Sequence, residues 1–276
     1  MRPLVVALAG VLVSACVYGL ASVGRPSDLV EVTEAATARH LQEAIASAVA
    51  TAPDRISVAV HDWPSATTCS ARGTVRHEAV SVVKVTTLAT LLWQRGRAGR
   101  SLTSAEQRWA REAITVSDND AQTALWARAG GRSGLTEFME AAGMARSSAT
   151  GEWGLTQVTA ADELRLLREI SHGDLLRTAD RDYLLDLMCR VDATQRWGVT
   201  AGAPAGAMVA VKNGWRGETS GWHVNSIGYV SGEGYEHALV VLGDGHPTME
   251  EGVEAVERVS RAVHGALSPA ARADPV

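Results

Sequence analysis

Strand-like segments in this chain lie only toward its two ends, and that distribution restricts the fold more than any other feature. Ile56-Ser57-Val58-Ala59-Val60 alternates as a strand does, Asp62-Trp63-Pro64-Ser65 is turn chemistry, and Thr68 to Val75 carries a second strand. Strand patterns return only at Val209-Ala210-Val211-Lys212, Trp222 to Val230 and His237 to Leu242. Helical periodicity fills the interval, at Ala105 to Ile114, Ala121 to Ala129, Leu135 to Ala142, Ala160 to Ile170 and Thr178 to Val191. A helix at Asp28 to Ala50 precedes the first strand. Another at Met249 to Val263, with Val253, Val256, Val259 and Val263 on one stripe, follows the last. Such an arrangement predicts an α+β fold, an α/β sandwich: a mostly antiparallel sheet assembled from both ends of the chain, flanked by helices, with a helical lobe inserted between.

The expected organisation is a leader or anchor with linker over 1–27, one folded domain over 28–267, and a flexible tail over 268–276. Within the domain the sheet lobe takes about 28–76 and 200–267, and the helical lobe about 77–199. A chain of 276 residues, 46% hydrophobic and 21% charged, has ample material for a core. Its formal charge of -5 is spread out, without a block of Lys or Arg, so a nucleic-acid partner has no support. The eight histidines fall singly, with no H-E-x-x-H and no paired Cys spacing. No metal is expected, and no nucleotide fingerprint stands in strand-to-helix context, so no cofactor is expected either.

Leu4 to Val23 contains no charge and follows Arg2, which predicts export. Val13-Ser14-Ala15-Cys16 is similar to a bacterial lipobox, which would lipidate Cys16. A cut after Gly19-Leu20-Ala21 would instead release a secreted protein, and an uncleaved membrane anchor is the third outcome. Cys69 and Cys189 read as free thiols, and their wide separation neither supports nor excludes a bridge. A monomer is expected.

Ser81-Val82-Val83-Lys84 opens the apolar run that ends at Trp93. Three residues along a helix bring two side chains onto one face, so Lys84 stands beside the Ser81 hydroxyl in a first turn whose free N–H groups favour an oxyanion. A lysine with a lowered pKa can take a serine's proton and make a nucleophile of it. The stretch Ser104-Ala105-Glu106-Gln107 reads as the cap of the following helix.

Ser117-Asp118-Asn119 and Lys212-Asn213-Gly214 follow in that order. Taken singly, the first is a fair helix cap and the second a fair hairpin turn. Together with Ser81-Val82-Val83-Lys84, in this order, the set resembles the serine β-lactamase and penicillin-binding protein superfamily. Ala113-Ile114-Thr115-Val116-Ser117-Asp118-Asn119-Asp120-Ala121 is similar to the second motif of class A β-lactamases.

The resemblance implies a β-lactamase/transpeptidase-like fold with a cleft between the lobes and a covalent acyl-enzyme. Ser81 would attack the carbonyl of a β-lactam or a D-alanyl peptide, and Lys84 would deprotonate it. Ser117 would pass a proton to the leaving nitrogen, assisted by Lys212, while Asn119 orients the substrate's amide. Ser81 and Trp215 would give the oxyanion their backbone N–H groups, with Gly214 leaving room. The substrate would thus be a small-molecule β-lactam or a peptidoglycan peptide.

This chain departs from the family in three places. Asn213 replaces a hydroxyl that commonly meets the substrate carboxylate, with an amide that still donates hydrogen bonds. The connection between the first two motifs is short. The omega loop shrinks to Ser147-Ser148-Ala149-Thr150-Gly151-Glu152-Trp153-Gly154, where Glu152 is the only carboxylate available as a deacylating general base. Three activities therefore stay open: a class A-like β-lactamase, a D-alanyl-D-alanine carboxypeptidase or related penicillin-binding peptidase, and a wall-binding lipoprotein without turnover. Trp153 and Trp215 are candidate cleft residues.

Overall fold

The computed structural model describes residues 26–50 and 55–268, with side chains from residue 37 onward. The uncharged run Leu4 to Val23, Cys16 and the tail after Ser268 lie outside the described residues. No helix among the described residues is long and apolar enough to cross a membrane.

In chain order the elements are α1 (Pro26–Val49), β1 (Ile56–Asp62), β2 (Thr67–Ala71), β3 (Arg76–Glu78), a 3-10 turn at Val80–Val82, α2 (Val83–Arg97), α3 (Ser104–Thr115), α4 (Asn119–Arg128) and α5 (Gly131–Ala141). There follow a 3-10 turn at Trp153–Leu155, β4 (Gln157–Thr159), α6 (Ala160–His172), α7 (Thr178–Cys189), 3-10 turns at Ala193–Gln195 and Gly198–Thr200, β5 (Met208–Glu218), β6 (Gly221–Gly232), β7 (Tyr235–His246) and α8 (Met249–Ala266).

The main sheet has the order β2-β1-β7-β6-β5 and is antiparallel throughout. The two ends of the chain join where β1 pairs with β7, from Ile56 opposite Gly243 to Asp62 opposite His237. All seven residues of β1 are buried, because helices cover both of its faces. Helices α1 and α8 pack on each other and on the sheet, and α6 packs over β1 and β7.

Every residue of α2 from Val83 to Trp93 is buried, so this helix is covered all round and forms the axis of the helical lobe, against α3, α4, α5 and α7. The cap of α3 falls one residue before the expected Ser104. Thr103 accepts from the Glu106 amide while Glu106 accepts from the Thr103 amide, and that reciprocal pair requires Glu106 at the third helical position. The short β3–β4 ribbon escaped the sequence, since three-residue strands carry no readable alternation. Neither Cys69 nor Cys189 is in a disulfide among the described residues.

Candidate active site

Ser81 does not sit in the α2 helix itself, as its sequence suggests, but in the 3-10 turn just ahead of it. That turn is strained. Val80 has φ +50, a left-handed conformation that a β-branched residue rarely adopts. Such a conformation persists only where its surroundings over-determine it. Here the Ala79 amide donates to the Thr156 carbonyl at 2.8 Å, and the Val82 amide donates to the Ala79 carbonyl at 3.1 Å. The buried Asn225 of β6 adds a clamp: its Nδ2 donates to the carbonyls of Glu78 at 2.8 Å and Ala79 at 3.3 Å, while its Oδ1 accepts from the Gly243 amide. No sequence signal singled out Asn225, because it reaches the turn from more than 140 residues away.

Lys84, in the first turn of α2, is fully buried. Its Nζ donates to the Ser117 carbonyl at 2.5 Å, the Ser117 Oγ at 3.0 Å and the Asn119 Oδ1 at 2.8 Å. Burial lowers its pKa to about 8, against a smaller opposing pull from Asp118. The Trp153 ring lies over the same nitrogen, 5.2 Å from centroid to Nζ.

Ser117 stands at the junction of α3 and α4 with φ +59, a second strained residue. The Asp118 amide donates back to the Glu112 carbonyl, and the Asp118 carboxylate caps α4 by accepting from the Ala121 amide at 2.7 Å. Asp118 is thus the helix cap, which leaves the Ser117 hydroxyl to face the two lysines.

Lys212 reaches the same hydroxyl from the sheet. Its Nζ donates to the Ser117 Oγ at 3.0 Å and to the Asn213 carbonyl at 2.9 Å. Burial first, and the charge of Lys84 second, push its pKa well below the ordinary lysine value. Lys212-Asn213-Gly214 is not a hairpin turn: it lies mid-strand in β5, and the chain reverses at Thr219-Ser220. Strand β5 is the sheet's edge and packs against the Ser81 turn. A Cβ on Gly214 would stand 2.7 Å from the Ser81 amide nitrogen, so only glycine lets strand and turn approach this closely.

The structure therefore brings Lys84, Ser117, Asn119 and Lys212 into one hydrogen-bonded cluster, with Ser81 beside it on the turn. The Ser81 hydroxyl makes no hydrogen bond among the described residues, and Lys84 directs its three donors at Ser117 and Asn119 rather than at Ser81. Two expectations change. The Asn213 amide does not face a ligand: its Nδ2 donates to the carbonyls of Gln195 at 2.7 Å and Trp197 at 3.0 Å, and the residue is fully buried. Glu152 is exposed, and it is its carbonyl, accepting from Thr150, that takes part in the local structure. Among the described residues no carboxylate is hydrogen-bonded to Ser81, Lys84 or Ser117. The neighbour that sequence reasoning placed only loosely, Trp153, holds the position over Lys84.

Trp215 turns its ring onto Trp197, at 5.9 Å between centroids. As for metals, Glu78, Glu218 and His223 bring three ligand atoms within 4.8 Å of one another, but Arg216 is ion-paired to both carboxylates and supplies the positive charge there. Away from this cluster a serine–histidine–carboxylate chain runs Ser57–His77–Asp244, at 2.7 and 3.0 Å. With Ser57 fully buried, that hydroxyl has no access to a substrate.

The model of the beta-lactamase enzyme family matches residues 105–267, more than half of the chain. No curated protein is significantly similar in sequence. Among solved structures, PBP-A is similar with TM-score 0.72 and 22% identity over 82% of this chain and 95% of that one. A beta lactamase from Xanthomonas campestris pv. campestris gives TM-score 0.73 and 19% identity over 84% and 99%. An ancestral class A beta-lactamase gives 0.68 and 23% over 82% and 99%.

Proposed function

Because the chain belongs to the beta-lactamase enzyme family, we propose that it is a serine acyl-transfer hydrolase whose nucleophile is Ser81. The observation that carries this reading is the Ser117 hydroxyl held at 3.0 Å from both Lys84 and Lys212. Burial brings the Lys84 pKa down to about 8, so its free amine is accessible as a base near that pH. The neutral amine removes the Ser81 proton, directly or through a water, as Oγ adds to the acyl carbon. The oxyanion is held by the amides of Ser81 and Trp215. Collapse breaks the bond from carbon to the leaving nitrogen. Both acceptor sites of the Ser117 oxygen are filled by lysine N–H groups, so its own proton is free to go to that nitrogen, and the lysine restores it. Asn119, whose Oδ1 is fixed by Lys84, keeps its exposed Nδ2 for the substrate's acyl side.

The substrate class is a β-lactam or a D-alanyl peptide of peptidoglycan. Acylation is supplied by the cluster just described, but hydrolysis of the acyl-enzyme lacks an evident base, with Trp153 over Lys84 and Glu152 exposed. That favours the slow turnover of a penicillin-binding peptidase over an efficient β-lactamase. The uncharged run Leu4 to Val23 supports an extracytoplasmic setting, with Cys16 lipidation, an anchor or free secretion as routes. Incubation with a penicillin, followed by intact mass over time, tests the reading. A persistent adduct, absent in Ser81→Ala, is expected; rapid gain and loss would mean a β-lactamase, and no adduct would overturn acyl transfer.

A further inference from the structure

The shortened omega loop is fastened at its base and held against the Ser81 turn. Ser148 and Gln157 exchange both backbone hydrogen bonds, at 2.8 and 3.0 Å, which closes the loop into a short arch. Inside it Thr150 Oγ1 donates to the Glu152 carbonyl at 2.6 Å, and the amides of Leu155 and Thr156 donate to the carbonyls of Glu152 and Trp153 at 3.0 and 3.2 Å. The Thr156 carbonyl in turn accepts from the Ala79 amide, and the 153–155 turn packs on the Ser81 turn.

Trp153 leaves this arch to lie over the Lys84 nitrogen, 5.2 Å from ring centroid to Nζ. Its place is fixed from α4: the Thr123 hydroxyl spends its proton on the Asn119 carbonyl at 2.9 Å and accepts from the Trp153 Nε1 at 3.2 Å. The donors of Nζ point to Ser117 and Asn119. Lys84 is fully buried while Trp153 is half-exposed, so the indole is a layer between the amine and solvent. The charged groups facing Lys84 are Asp118, ahead of α4, and Lys212, on β5. The ion pairs that α3 and α5 make with α2, Arg95–Glu106 and Arg97–Glu137, lie about three turns further along. Arg177, at the head of α7, reaches α2 at Gly96, and the Glu152 residue beside the indole is exposed.

We infer that Trp153 is a positioning residue for the proposed acylation, an apolar lid that keeps water from the Lys84 amine so that it serves as a base near neutral pH. The inference rests on Lys84 taking the Ser81 proton. Two effects of the ring oppose each other. Its π face favours the ammonium form by less than about tenfold in proton affinity, whereas burial takes Lys84 from 10.5 to about 8, more than about a hundredfold the other way. The lid need supply only part of that burial to prevail, so losing the ring returns the amine toward the ordinary lysine value.

The second-order rate of benzylpenicillin adduct formation on Ser81, read by intact mass from pH 6 to 10, tests this in the full chain. In Trp153→Ala the midpoint of the rising limb is expected at least about one pH unit above that of wild type, so that the rate at pH 7 falls about tenfold while the plateau at high pH stays within about threefold. Trp153→Phe keeps a ring over the nitrogen and loses only the bond to Thr123, and should return the limb to its wild-type place. A midpoint that stays or moves down overturns the inference. So does a loss of rate equal at every pH, which marks a merely structural role, and so does a Phe variant displaced as far as Ala. Trp153→Gln carries the same expectation as Ala and replaces it should that variant fail to fold. A wild-type protein that forms no adduct overturns the acyl-transfer reading and the inference with it; an adduct whose limb ignores Trp153 overturns the inference alone.

Discussion

Lys84 and Lys212 come from opposite lobes yet donate to one oxygen, the Ser117 Oγ, each at 3.0 Å. The pKa of each is lowered, chiefly by burial, and Lys212 also by the charge of Lys84. The pair thus titrates as a unit, and would set the pH dependence of the proposed acylation.

The rate of Ser81 acylation should rise with pH through about 8, the value to which burial brings Lys84, as the free amine accumulates. Adduct formation measured by intact mass between pH 6 and 10 would trace this limb. Lys84→Arg, which stays protonated throughout, should abolish it and lower the rate by about 100-fold or more.

Replacing Ser117 by Ala removes the shared acceptor and the donor to the leaving nitrogen. With a lactam or amide substrate the loss should be about 100- to 1,000-fold, within the usual worth of a general acid. An activated ester, whose leaving group departs without a proton, should lose much less. Equal losses on both substrates would show that Ser117 only maintains the lysines.

Gly214→Ala places a methyl 2.7 Å from the Ser81 nitrogen, 3.0 Å from that of Val82 and 3.1 Å from the Ala79 carbonyl. All three neighbours are backbone, so strand or turn must shift. A stability loss of about 1–3 kcal/mol by denaturant unfolding is expected, with a larger relative loss in acylation because the oxyanion donors separate.

Glu163 of α6 is buried with neither carboxylate oxygen hydrogen-bonded, and burial raises its pKa to about 8. In the unfolded chain the group ionises near 4.5, so between these values the folded protein holds a proton that the unfolded one has lost. Its contribution is fully present below the lower value and is lost as pH rises through about 8, by about 1.4 kcal/mol per pH unit at most. Glu163→Gln should remove this slope and leave the protein more stable than wild type at pH 8, read from thermal unfolding at several pH values.

The sequence disclosed local chemistry better than long-range occupancy. The spacing of Ser81 and Lys84 set them one turn apart at the start of α2, though Ser81 lies in the 3-10 turn ahead of it, and the order of strand and helix patterns implied that the ends of the chain meet, because such features depend on near neighbours and periodicity. Asn213 was misjudged for the opposite reason. Its residue type promised donors to a ligand, but the carbonyls of Gln195 and Trp197 that consume them arrive from another element. The Asn225 clamp and the Trp153 ring over Lys84 were equally out of reach, since both depend on which loops the topology lays across the cleft.

The union of β1 with β7 also imposes an order of events on synthesis. A ribosome emits the Ser81 turn long before the strand that carries Lys212 and Gly214, and β1, paired early with β2, waits for nearly the entire chain before β7, its partner on the other side, emerges. Pairings this distant in sequence form slowly. A nascent chain arrested anywhere before β5 therefore lacks Lys212 and Gly214: the proposed crevice is among the last parts of the molecule to exist.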